Sequence, residues 1–145
     1  MKYETFRKRY PKAPEFAWIK KNFEVEGNSV EDVIKAVNNK LKKVVDYFEA
    51  LLLGESYKTF VERSFLSEED KKIVSKLYRE LQVLLNEEFL ISIEMNDKKK
   101  AEWLAKIKEF WNNAKYEIID IVEKIIEGWK KRKKKIEKRE TRYHW

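Results

Sequence analysis

Two groups of side chains in the last third of this 145-residue chain could do chemistry. The first is the run Lys130, Lys131, Arg132, Lys133, Lys134 and Lys135, followed by Lys138, Arg139 and Arg142. Residues 130–142 hold nine basic and two acidic residues, a net of +7, and the whole chain (33 basic, 26 acidic) also nets +7, so the remainder is neutral. Six consecutive cations on a helix point in every direction around it. Such a run gains nothing from burial and repels itself unless anions neutralise it. A nucleic-acid backbone does so by releasing its condensed counterions. Trp129 and Trp145 bracket the run, and rings beside cations suit stacking on bases. No base-reading motif accompanies them, so the expectation is sequence-tolerant binding of a DNA or RNA backbone by a non-enzymatic protein. An acidic protein partner is the competing expectation, with the chain serving as an interaction or oligomerisation module.

The second group is acidic. Glu117, Asp120, Glu123 and Glu127 follow helical spacing, and helical carboxylates are suitable ligands for hard cations. This raises a remote enzymatic alternative, a Mg²⁺-dependent all-α nucleotide pyrophosphatase. The preceding acidic pattern such a site needs is incomplete, because after Glu87 and Glu88 the later acid is replaced by Ile91. The four acids also lie opposite the apolar stripe of their helix, so a solvated face paired with Lys115 and Lys124 is the preferred reading. The single His144 stands in the charged tail, there is no Cys, and Gly27, Gly54 and Gly128 are too isolated for a phosphate loop. No catalytic residue, metal ligand or cofactor is assigned.

Positioning these groups falls to helices. Leu104, Ile107, Trp111, Ala114, Ile118, Ile121 and Ile125 keep three-four spacing, which predicts a final helix from about Lys98 to at least Trp129, reaching toward Lys138. Ile118, Ile121, Val122, Ile125 and Ile126 make a wide apolar face near its end that needs a cover. The N-terminal aromatics or a second copy, in a homodimer, would supply one. Ser29, with Asp32 three residues on, starts a helix of about 24 residues that ends at Gly54. Ser67 with Glu68, Glu69 and Asp70 starts another. Its stripe runs through Ile73, Val74, Leu77, Leu81, Leu84 and Leu85. From Phe89 to Met95 the pattern alternates like a strand, but no second strand candidate exists to pair with it, so the helix is continued to about Met95. Glu88 then falls near the apolar stripe. Residues 56–66 read as a short amphipathic helix carrying Tyr57, Phe60, Val61 and Phe65. Residues 14–25 read as a short helix, ended by Gly27-Asn28. Tyr3, Phe6 and Tyr10 read as a strap over the bundle rather than a nucleic-acid site.

The expected fold is therefore all-α: a small antiparallel bundle of three long helices (about 30–53, 68–95 and 98–138) with short N-terminal and connecting helices and a protruding C-terminal helix. The expected division is a bundle domain over 1–129 and a basic arm over 130–145. Only 3 Gly and 2 Pro argue against turn-rich β folds. No apolar run approaches the roughly 18 residues of a membrane span, and no secretory signal is visible, so a cytoplasmic location is the default. Heavy Lys, Glu and Ile usage without Cys points to a thermophile. The composition thus predicts a melting temperature above about 60 °C, at or beyond the upper range of mesophile domains; calorimetry checks it, and an ordinary mesophile value rejects it.

Overall fold

The computed structural model describes the backbone of residues 1–143 and the side chains of residues 1–132. Six helices lie within them: α1 (Tyr3–Arg9), α2 (Phe16–Asn22), α3 (Val30–Leu53), α4 (Tyr57–Ser64), α5 (Glu68–Glu94) and α6 (Asp97–Tyr143). The only strand-like pairing among the described residues is an isolated bridge between Lys2 and Ser29. The chain is all-α, as its periodicity predicts. No helix among the described residues is long and apolar enough to cross a membrane.

The helix starts are set by reciprocal caps. Ser29 Oγ accepts from the Asp32 amide at 3.0 Å while an Asp32 carboxylate oxygen accepts from the Ser29 amide at 3.2 Å. Ser67 and Asp70 repeat the arrangement at the start of α5, at 3.1 and 3.0 Å. Each box satisfies two otherwise orphaned amides, and such a cap contributes about 1 kcal/mol. The ends differ from expectation. Helix α2 stops at Asn22, and Gly27 instead takes the left-handed φ of 103° that turns the chain into α3. Gly54 closes α3 with φ −66°, extended rather than left-handed. The carbonyls there are satisfied from α4: the Arg63 guanidinium donates to Leu52 O at 3.2 Å and Gly54 O at 2.6 Å. The segment 89–94 is helical, as the missing strand partner required, and Met95 ends it with φ 55°. Asn96 Oδ1 then accepts from the Lys99 amide at 3.0 Å to open α6.

Helix α5 is antiparallel to both α3 and α6 and packs closely on each. Tyr78 OH donates to Glu49 at 2.8 Å across the α3 contact. On the α6 side, buried Trp103 donates its indole N–H to Leu84 O at 2.8 Å, and Lys106 and Lys124 reach Glu87 and Asp70 at 2.7 and 2.6 Å. Helices α3 and α6, which run parallel, approach each other less closely than either approaches α5. The N-terminal segment occupies the seam between them. Tyr3, Phe6 and Ile19 have no exposed surface, and Phe23 meets Trp111 with ring centroids 5.2 Å apart. Tyr3 OH donates to Pro14 O at 2.5 Å, and burial pushes its phenol well above the ordinary range, with the Arg7 charge opposing. The aromatic-cationic N-terminus is thus the strap that its spacing suggests.

One ion-pair network joins α5 to α6. Asp70 is 6% exposed and takes Lys124 at 2.6 Å besides its cap; Lys124 also reaches Asp120 at 3.0 Å. The Lys124 hydrogen bond, then the Ser67 cap, hold the Asp70 carboxyl below its ordinary 3.8 despite opposing burial. The same bond, with Asp120, raises Lys124 above 10.5. A depressed carboxyl stabilises the fold above its unfolded pKa, and that stability drains as pH falls through the folded value. A raised lysine stabilises below its unfolded pKa and loses this as pH rises through the folded value. Stability should therefore fall below about pH 4 and again above about pH 10.5, and Asp70→Ala should cost about 2 kcal/mol at pH 7 and flatten the acid limb. Urea denaturation across pH checks this; an unchanged acid limb in the variant rejects it.

Candidate nucleic-acid interface at the C-terminal arm

Helix α6 is one unbroken element of 47 residues, about 70 Å long, against about 36 Å for the 24-residue α3. It crosses residue 130 without a break, so bundle and arm share one helix. The arm's root is clamped by α4. The Trp129 indole N–H donates to a Glu62 carboxylate oxygen at 3.0 Å, and its ring meets Phe65 edge-to-face at 5.5 Å. Three residues on, Arg132 donates to Tyr57 OH at 2.6 Å and lies over the Tyr57 ring at 5.8 Å. Glu62 is itself buried, with Lys58 at 3.7 Å. Its single carboxylate thus takes an indole and a cation at once.

These contacts sort the residues the sequence singles out. Lys130 and Lys131 are exposed, Lys130 beside Glu127 at 3.5 Å. Arg132 is half-buried against Tyr57, and Trp129 is held by Glu62 and Phe65; both anchor the root. The side chains of Lys133, Lys134, Lys135, Lys138, Arg139 and Arg142, and all of Trp145, lie outside the described residues. Of the apolar face, Ile121 and Ile125 are buried in the chain's own core and Ile118 and Val122 are half-buried, leaving Ile126 at 47% as the member that faces outward. Much of the cover this face needs comes from within the chain.

The electrostatics change sharply along α6. Asp120, Glu123 and Glu127 are exposed just before the root, and with Lys124 and Lys131 they line a shallow depression of about 410 Å³ beside Phe65 and Gly128. Lys124 is paired with Asp120 and Asp70, whereas Lys115, expected to pair with this acidic face, donates to Asn22 Oδ1 at 3.4 Å. Among the described residues no three acidic or imidazole groups converge as a metal site. Residues 117–127 hold four acids and one lysine, whereas residues 130–142 net +7, so a polyanion would be repelled just before the root and attracted beyond it. The cations also stand toward the negative end of the helix dipole, which favours them. Arg7, Lys8 and Arg9 do not extend this surface. Helix α1 packs at the α3 N-terminus, whereas Tyr57 and Arg63 place the arm's root at the α3 C-terminus.

Sequence reasoning missed two features. Tyr57 and Phe60, read as the apolar side of α4, are 69% and 68% exposed; the buried residues there are Thr59, Val61 and Glu62. The pattern of α4 could not show this, because its buried face is chosen by the two helices it packs on, α3 and α6. The other is a cleft of about 480 Å³ at the far end of the bundle, floored by Ile34, Ile91 and Trp103 and rimmed by Lys35, Lys42 and Lys100. Glu88, the acid that conflicted with the α5 stripe, lines this cleft, and Asn38 Oδ1 is buried near it without a hydrogen-bond partner. No protein-family model, no curated protein and no solved structure matches the chain, so the functional reading rests on its own geometry and charge.

Gly128 reports on the clamp. A Cβ there would stand 2.2 Å from Phe65 Cγ. In a free helix, Gly→Ala gains up to about 1 kcal/mol; here overpacking should outweigh that and cost about 1–3 kcal/mol. Chemical denaturation of Gly128→Ala reads the sign, and a stabilised variant would mean that α4 does not hold the root.

Proposed function

We propose that the protein binds a nucleic-acid backbone, without reading its sequence, through the basic arm from Lys130 to Arg142. The carrying observation is that the chain's entire charge excess sits at the end of one continuous helix whose root is fixed by Trp129–Glu62, Trp129–Phe65 and Arg132–Tyr57. A root held at two successive points by α4 gives the cations a defined direction and lowers the ordering cost of engaging successive phosphates. Lysine and arginine side chains neutralise phosphate charge, and the acids before the root keep the polyanion on the arm. The bundle serves as scaffold and contributes no base-specific contact. A reading as a protein-interaction module is favoured by a different surface, the outer side of α5.

The test keeps Arg132, which supports the root, and replaces its neighbours: Lys130→Gln, Lys131→Gln, Lys133→Gln, Lys134→Gln and Lys135→Gln together. Fluorescence anisotropy with labelled single- and double-stranded oligonucleotides should give micromolar or tighter binding for the unaltered chain at about 50 mM salt. If about six phosphates are neutralised, affinity should fall about 10³-fold by 200 mM. The substituted chain should bind at least 100-fold more weakly, with a flatter salt slope. No binding by the unaltered chain at low salt rejects the proposal.

A further inference from the structure

Helix α5 is apolar on two sides. Its inner side, with Leu77, Leu81 and Leu84, is buried against α3 and α6. Its outer side carries Val83, Phe89, Leu90 and Ile93, which are 58%, 64%, 55% and 64% exposed. Val83, Asn86, Leu90 and Ile93 are separated by steps of three, four and three, the spacing of a seam between two paired helices. This outer seam is also why residues 89–95 alternate: Ile91 turns toward the bundle while Phe89 and Ile93 turn away. The apolar surface is on the order of 500 Å², at the upper end of the largest patch on ordinary monomers. Nothing among the described residues covers it.

We propose that this face is the contact of a homodimer in which two α5 helices pack antiparallel. Its charges select this occupant and this direction. Along the outer side, Lys72 and Arg79 precede the apolar centre, and Glu94, which pairs with Lys99 of its own chain, lies beyond it. Arg79 makes no ion pair among the described residues. A two-fold axis between Asn86 and Glu87 sets Val83 of one copy against Leu90 of the other and Arg79 against Glu94, at both ends alike. Parallel pairing would set Arg79 against Arg79 and Glu94 against Glu94. An isologous contact of this kind is the commonest route to a closed dimer. Two such patches with their polar rims reach about 1,200 Å², the low end of a stable interface. A face with both signs of charge fits a second copy better than an anionic lipid surface, which selects cations alone.

The contact is separate from the arm and is read without nucleic acid. It has a consequence for it: because α6 is antiparallel to α5, the two arms leave the dimer in opposite directions.

Sedimentation velocity of the full chain at about 100 µM should give a species of twice the 17.7 kDa chain mass. Leu90→Glu should dissociate it at least 100-fold without changing helicity, since Leu90 is exposed in the single chain. Arg79→Glu should weaken the dimer, and Arg79→Glu with Glu94→Arg should restore it. Ile126→Glu, on the outer side of α6, should leave the dimer intact. A monomer at this concentration, a dimer indifferent to Leu90→Glu, or a monomer that instead cosediments with phosphatidylserine vesicles through Leu90 overturns the proposal.

Discussion

Three long helices enclose a core only when all three seams between them are filled, and here one seam is not closed by the long helices themselves. Helix α5 packs on α3 and on α6, but α3 and α6 approach each other less closely than either approaches α5. Phe23 against Trp111, and Tyr3, Phe6 and Ile19 without exposed surface, supply the missing layer. Large aromatics fill such a gap efficiently, each burying on the order of 200 Å². This single requirement explains why the first 23 residues carry so many rings and why α1 and α2 are short: they need to cover a groove, not to span the bundle. The Tyr3 hydroxyl bonded to Pro14 O and the Arg7 guanidinium bonded to Ala13 O then tie α1 to the segment that leads into α2.

The same separation leaves α6 dependent on its other neighbours. Trp103 and Lys106 bind it to the C-terminal half of α5, Lys124 to the first turn of α5, and Trp129 and Arg132 to α4. These contacts come in order along α6, so the helix is held like a rod at successive clamps, from its first turns to Arg132. The acids before the root and the cations after it make the rod electrostatically two-part. The neutral body and charged arm of the sequence are thus one mechanical element, with the local acids of residues 117–127 giving way to cations after residue 128.

Much of this was legible in the residues alone. Ser29 with Asp32, and Ser67 with Asp70, announced two helix starts, because a capping box is a local interaction between residues three apart. The stripes of α3, α5 and α6 were legible for the same reason. What was not legible depends on which neighbour claims a face. Ile121 and Ile125 looked like an interface and are core, since periodicity marks an apolar face without saying what lies on it. Tyr57 and Phe60 looked like core and are exposed, Tyr57 being engaged by Arg132, which is remote in sequence. Gly54 ends α3 where expected, but in an extended conformation, and the free carbonyls of Leu52 and Gly54 are taken by Arg63 from the next helix.

The strand-like alternation of residues 89–95 is the most informative of these conflicts. A helix that serves only a core needs apolar residues on one side, and alternation there is a cost in solubility with no return within a single chain. The proposed dimer contact would resolve the conflict by giving the outer side of α5 a role of its own. Local patterns that disagree with the global fold tend to mark functional surfaces. Here the disagreement falls at the end of the bundle away from the arm, on the helix that holds α6 in place. Association and polyanion binding would then use opposite ends of the same two-helix unit, α5 and α6, so neither surface would have to be given up for the other.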